Sequence, residues 1–385
     1  MLSSLRDNRY RDYFIFIPLV LVFFILMILS TGDYLPGEAG EFISAGGFIF
    51  PFVILALLAH MSLDHPWIRY LANLWLLCIL FALFAISLII TLAPVAALSP
   101  DPDALEPALD ALPAGTVMAT LLTGLCAGII CLTGFSRRFR GLLARVLPFD
   151  PDSYVHMIGL ICVIALIVMP LIPLIVTQNA PFLNVELQDL MGLGTEVPGS
   201  SVKTDTYSLI WTIIGSFFLV GLWIARDVKS TLLRLGLVRP TTKQVFYGIA
   251  SGVLLVGIFI ILDDAVTALF TAAGIPTTDE NLVNNLFVAS FTPLAAFVAS
   301  VSAGLGEELS VRGVIQPRFG IIAAALVFAA LHAFQYAWDG VLTVFIAGIC
   351  FGIIRQYTNT TTSAISHGVY DFVLFCLIMA GLTSI

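Results

Sequence analysis

Long, unbroken apolar runs limit what this chain can fold into. Eleven segments read as membrane spans, at roughly residues 13–30, 46–62, 70–93, 115–135, 154–177, 207–225, 244–270, 290–316, 319–335, 339–356 and 361–384. A run of about 18 apolar residues is long enough to cross a bilayer as a helix. Apolar residues make up 59% of the chain and charged residues 11%, a balance no soluble globular domain has. The expected fold class is therefore all-α: a polytopic transmembrane helix bundle of about 11 spans.

The loops fix an orientation. With the N-terminus cytoplasmic, successive loops alternate sides, and Lys and Arg should gather on the inner side. Arg6, Arg9, Arg11, Arg69, Arg137, Arg138, Arg140, Arg145, Arg226, Lys229, Arg234, Arg239, Lys243, Arg312, Arg318 and Arg355 all do, 16 of the 17 basic residues; Lys203 lies outside. The opposite loops are acidic, with Asp33, Glu38 and Glu41, then Asp101, Asp103, Glu106 and Asp110, then Glu186, Asp189, Glu196 and Asp205. The expected topology is N-in and C-out. The basic start followed by an apolar run reads as a first span, since no small-residue cleavage site closes it.

Three regions follow: residues 1–225 as an N-terminal six-span membrane region, 226–243 as a cytoplasmic amphipathic connector at the lipid interface, and 244–385 as a five-span region that holds the chemistry. The outer loops Ala97–Ala114 and Gln178–Thr206, rich in Pro, Asp and Gly, read as irregular connections. Cys78, Cys126, Cys131, Cys162, Cys350 and Cys376 fall inside apolar runs without metal-finger spacing and read as small core residues.

Against this background Glu307, Glu308, Arg312, His332, His367 and Asp371 stand out. An ionisable group inside a bilayer is costly, so it is a functional candidate by default. Glu308 and Arg312 are i and i+4 and can pair, with the guanidinium meeting the carboxylate bidentately. Glu307, about 100° away, is free to face a cavity. Pro317 and Gly320 mark a turn between two helical arms. Glu307 lies ten residues before it and His332 twelve after, roughly 15–18 Å along each arm, so the two are level. His367, six residues after Thr361, is about 9 Å deep in the last span, with Asp371 one turn on. Phe328, one turn before His332, packs the site helix.

Two chemistries fit this inventory. A desolvated glutamate can act as a general base on water and then as an acid to a leaving amine, with histidines polarising a carbonyl or stabilising an oxyanion. Equally, Glu307, His332 and His367 could hold Zn²⁺ while the other carboxylate activates water. There is no His-Glu-x-x-His motif and no Gly-x-Ser-x-Gly elbow.

At these residues the chain resembles the CPBP (Abi) family of intramembrane endopeptidases, which includes the type II CAAX prenyl proteases. The matching motifs are Glu307-Glu308-Leu-Ser-Val-Arg312, Phe328-Ala-Ala-Leu-His332 and His367-Gly-Val-Tyr-Asp371, in order on three expected spans. The resemblance covers about Leu232 to Ile385, outside the first six spans. It implies Glu307 as catalytic base, His332 as its water-polarising partner, His367 and Asp371 at the oxyanion, and Glu308 and Arg312 as structural or assisting. It also implies an integral protein of a microbial plasma membrane. Three departures stand: Val311 in place of an aromatic residue, Asp371 where asparagine is usual, and a short connection between the glutamates and His332.

Plainer readings apply elsewhere. His60, His65 and His156 sit near span ends and read as interfacial residues without partners. Asp263 and Asp264 could form a transporter's cation site, but read better as the outer end of their span. Gly248 and Gly252, four apart, read as a helix-packing pair. The rival classes to a protease are a non-catalytic membrane scaffold or immunity-type protein and a secondary transporter. Expected partners are membrane lipid and a membrane-associated protein or peptide; no nucleic acid is expected.

Overall fold

The computed structural model describes residues 15–32, 34–97, 115–185, 187–188 and 197–383. Arg6, Arg9, Arg11, Asp33, Glu186, Asp189, Glu196 and the segment 98–114 lie outside these residues. The described chain is all-helical, and its one β-type contact is the isolated bridge between Leu222 and Arg226.

Seven helices are long and apolar enough to span a membrane: Ile68–Leu92, Thr116–Phe135, Tyr154–Thr177, Thr242–Ala272, Pro293–His332, Trp338–Tyr357 and Thr360–Met379. Two expected spans are shorter helices, Ile17–Ser30 and Phe50–Met61. Another, expected over 207–225, is the helix Ser201–Leu219, whose first turns carry Lys203 and Asp205. The 40-residue run Pro293–His332 contains two expected spans. It breaks at Gly320, whose φ of 79° and ψ of 173° are open to glycine and closed to most side chains.

Helices in lipid associate by close packing of small residues rather than by hydrophobic burial. Gly248 and Gly252 follow that rule: an added Cβ would lie 2.8 Å from Ile365 Cγ2 and 2.5 Å from the Ser366 carbonyl. Gly348 and Gly352 seat the helix Trp338–Tyr357 against Ala325 and Ile321 of the hairpin's second arm in the same way. The first half of the chain joins this bundle. Phe149 meets Phe319 at a ring separation of 5.8 Å, and the helix Ser201–Leu219 packs along Ser302–Ile315.

The basic residues have structural work as well as a sidedness. Helix C-termini leave carbonyls without partners, and arginines take several of them. Arg140 donates to the carbonyls of Gly134 and Phe135 at 2.9 and 2.8 Å, and Arg226 donates to Val220. At the other end Lys203 pairs with Glu38 and Glu41, and Tyr207 donates to Glu38 at 2.5 Å.

The connector is not a free interfacial strap. Its helix, Val228–Leu235, is N-capped by Asp227, whose carboxyl is held below the usual range by the Ser230 hydroxyl and N–H. Leu235 and Thr231 are fully buried, and Arg234 donates to the carbonyls of Gly313 and Val314 at 2.7 and 3.1 Å. Burial, then the nearby Arg318, Arg226 and Arg355, pull the Arg234 guanidinium down to about 10. Its amphipathic face is thus used against the site helix, although Leu233 still points outward.

Three further expectations change. Cys131 is buried, but Cys78, Cys126 and Cys376 are exposed on outward helix faces and are not core residues. His156 accepts a hydrogen bond from the Asp150 N–H at 3.0 Å, and His60 is buried, so neither is a bare interfacial group. Asp263 and Asp264 do not end their span: the helix continues to Ala272.

Candidate active site

The glutamates lie on a π-helix, Ser302–Ile315, wound between the helix Pro293–Val301 and the second arm of the hairpin. Such i→i+5 winding is uncommon and concentrates at functional sites. Glycine permits close approach here. A Cβ on Gly304 would lie 2.5 Å from the Gly368 nitrogen and 2.8 Å from the Ala364 carbonyl, so the π-helix and the last helix touch backbone to backbone. That contact carries Glu308 to the last helix.

Glu308 is fully buried and both of its carboxylate oxygens are contacted. Oε1 lies 3.0 Å from Arg312 Nη1 and 3.1 Å from His367 Nδ1, and Oε2 accepts from the Ser363 hydroxyl at 2.6 Å. The Arg312 pair forms as the spacing requires but is not bidentate, since Ser363 holds the second oxygen. Arg312 Nη1 is close to Glu308 without an N–H aimed along the line, and Nε has no hydrogen-bond partner. The guanidinium is instead placed over the Phe328 ring at 4.3 Å, with Phe351 at 5.8 Å, and Nη2 donates to the Gly348 carbonyl at 3.3 Å. An aromatic face stabilises a desolvated cation by about 2 kcal/mol.

His367 is anchored through Nδ1. Nδ1 meets Glu308, Nε2 lies 3.5 Å from Asp371 Oδ2, and the ring stacks on Phe351 at 4.4 Å and 19°. The carboxylate that orients the ring is thus Glu308, at the shorter distance. His332 is set differently. Its Nδ1 lies 2.8 Å from the Phe328 carbonyl, which can only accept, so in the neutral ring Nδ1 carries the proton and Nε2 is the free acceptor. Its ring also meets Phe328 at 4.8 Å and stacks on Tyr336 at 6.2 Å.

Glu307, His332, His367 and Asp371 line one cavity of about 820 Å³. The Glu307 carboxylate makes no hydrogen bond or salt bridge with the described residues. Of the six expected site residues, Glu308 and Arg312 lie behind the wall, and His367 links wall and cavity. His367 is tied to Glu308 and Asp371 and does not close a set with Glu307 and His332. Among the described residues no three of His, Cys, Asp or Glu are placed to hold a metal ion.

Sequence reasoning missed several lining groups. Asp263 faces the cavity from midway along the second half of its helix, not from a span end. Asp339 is buried and accepts from the Thr278 hydroxyl at 2.7 Å, the Thr278 N–H and the Thr267 hydroxyl. Tyr336 and Tyr370 also line it. Ser363, four residues before His367, shares that residue's helix face.

The family described as Type II CAAX prenyl endopeptidase Rce1-like matches residues 289–373, which include Glu307, Glu308, Arg312, His332, His367 and Asp371. The chain is also similar to the uncharacterized protein YpbD of Bacillus subtilis (strain 168), 30% identical over 162 residues, which are 41% of this chain and 80% of that protein. No solved structure matches it. Three ordered motifs gathered on one cavity of an apolar helix bundle agree with these matches, and the chain belongs to the Rce1-like type II CAAX prenyl endopeptidase family of integral membrane proteins.

Proposed function

We propose that the protein is an intramembrane endopeptidase that hydrolyses a peptide bond of a membrane-associated protein or peptide with water activated by Glu307. The observation that carries this reading is the contrast between neighbours: Glu308 is held behind the wall by Ser363, His367 and Arg312, while Glu307 lines the cavity that His332 also lines. Glu307 takes a proton from water, whose other hydrogen is held by His332 Nε2. The water oxygen bonds to the scissile carbonyl carbon, and the resulting oxyanion is stabilised by an N–H at His367 Nε2, the ring nitrogen turned away from Glu308 towards Asp371. The Glu307 proton then passes to the amine as the C–N bond breaks, leaving a carboxylic acid and an amine. A purely structural protein would have no use for an unpaired carboxylate in such a cavity.

Backbone geometry bears on how the substrate enters: in a helix each carbonyl is turned into its own i→i+4 hydrogen bond and away from an attacking water. The substrate is taken as a few residues of unwound chain. Seven carboxylates and no Lys or Arg line the cavity, which favours a neutral or basic segment.

The proposed topology has eleven spans, N-in and C-out, with residues 1–225 and 244–385 as two membrane regions around the connector 226–243. Reporter fusions at Asp103, Glu196 and Ile385, all outside the described residues, should report the outer side. The decisive experiment is cleavage of a membrane-peptide library by detergent-purified wild type and Glu307→Gln, with and without a chelator. Cleavage that is lost with Glu307→Gln and survives chelation supports the water-activation reading. Cleavage lost on chelation and restored by Zn²⁺ replaces it with a metal reading.

A further inference from the structure

Four arginines from four separate elements meet at the end of the bundle where the hairpin turns. Arg226 follows the helix Ser201–Leu219, Arg234 belongs to the connector helix, Arg318 sits in the Pro317–Gly320 turn, and Arg355 is in the last turn of the helix Trp338–Tyr357. Arg318, Arg226 and Arg355 lie close enough to Arg234 to lower its guanidinium further than burial alone does, and Arg318 acts on Arg226 in the same way. All four are half-buried. Among the described residues none of them forms an ion pair with a carboxylate. Asp227, next to Arg226 in sequence, is engaged in capping the connector helix, where it accepts from the Ser230 N–H at 2.8 Å.

Backbone carbonyls answer part of this charge. Arg234 is turned to Gly313 and Val314, and Arg226 to Val220. Arg318 and Arg355 make no hydrogen bond to the described residues, and Arg355 Nε is enclosed without a partner. Like charges gathered this closely repel one another. A fold that brings four together and supplies no carboxylate needs an anion from outside the chain. A guanidinium meets phosphate oxygens through two parallel N–H bonds, and basic pockets between membrane helices take anionic lipid head groups.

The surroundings favour a lipid over a free ion. Trp223, Leu233, Ile322 and Tyr357, each within four residues of one of these arginines, are exposed. Recessed cations rimmed by outward apolar and aromatic side chains match the depth at which head groups meet acyl chains, where Trp and Tyr concentrate. We infer that Arg226, Arg234, Arg318 and Arg355 together bind the phosphate of an anionic phospholipid, which ties the connector to the hairpin turn. Because Arg234 also holds the end of the π-helix, the lipid braces the element that carries Glu307 and Glu308. The site stands whether or not the protein is a protease.

The test is the thermal midpoint of the full-length, delipidated protein in detergent, titrated with dioleoylphosphatidylglycerol, dioleoylphosphatidylcholine or inorganic phosphate. A ligand that binds only the folded state raises the midpoint, and wild type should rise by about 4 °C or more with phosphatidylglycerol and little with the other two. Arg318→Gln combined with Arg355→Gln should need about tenfold more phosphatidylglycerol for the same rise, the loss of charged hydrogen bonds. Arg138→Gln combined with Lys243→Gln removes two exposed cations elsewhere and should titrate like wild type. Native mass spectrometry, which does not depend on the midpoint, should retain phosphatidylglycerol on wild type and lose it from the Arg318 and Arg355 double variant. Should that variant fail to fold, Arg318→Gln and Arg355→Gln singly carry the same comparison. Equal titration of the two double variants, or equal rises with phosphatidylcholine and phosphatidylglycerol, overturns the inference. So does a rise with inorganic phosphate that matches phosphatidylglycerol, which would make the ligand a soluble anion.

Discussion

Glu307 and Glu308 are neighbours in sequence and opposites in surroundings. Glu308 is fully buried, with contacts from Arg312, His367 and Ser363, and its neutralising cation is itself sandwiched by aromatic rings. Glu307 has no such partner and faces the cavity. A carboxylate that braces a fold must be saturated, because each unpaired buried group costs free energy, whereas one that moves protons must keep an open side. One turn of π-helix separates the two roles by direction alone.

The largest expected effect breaks this contrast on the cavity side. Glu307→Gln keeps volume and drops the charge, so cleavage should fall about 10²-fold or more, the range of a lost general base, while the thermal midpoint stays that of wild type. An equal loss of midpoint would mean Glu307 braces the fold as Glu308 does. On the wall side, Arg312→Lys should cost about 2–3 kcal/mol, the worth of a charged hydrogen bond together with the aromatic stacking a guanidinium provides. Stability and activity should fall together in thermal and cleavage assays; full stability with no activity would move Arg312 into the chemistry.

Gly304→Ala probes what holds the two sides in register. Its Cβ would meet the Gly368 backbone at 2.5 Å, and overpacking of this kind costs roughly 1–3 kcal/mol. The helices should part, lowering midpoint and rate, and unchanged values would show that the backbone contact is not needed. Ser363→Ala leaves Glu308 Oε2 without its donor, at about 1–2 kcal/mol. Because Glu308 orients His367, the rate should fall further than that stability loss accounts for, and adding Ser363→Ala to His367→Ala should change the rate no further. The smallest effect is expected from Arg234→Ala, which loses two carbonyl contacts far from Glu307. It should lower the midpoint by a few degrees and leave the rate of the folded fraction intact.

Several parts of the site were legible before any coordinates. The i, i+4 spacing paired Glu308 with Arg312, the Pro317–Gly320 turn placed Glu307 and His332 on facing arms, and Gly248 and Gly252 marked a helix contact. Other features were not. Asp263 read as a span end, the bidentate geometry assumed that Glu308 had no third partner, and the grip of Arg234 on Gly313 went unseen. Each error has the same source: the competing partner, Ser363, Gly313 or the cavity itself, is far away along the chain.

The sequence by itself determined the fold class, the distribution of positive charge and the identity of the ionisable groups, because apolar run length, loop charge and residue type are local properties that a bilayer reads directly. Only the tertiary structure decided which groups share a surface. Ser363 and His367 reach Glu308 across 55 and 59 residues of chain, and they do so because glycines at 304 and 368 let two backbones touch. Whether a carboxylate ends up saturated or open depends on that contact, and no local pattern encodes it.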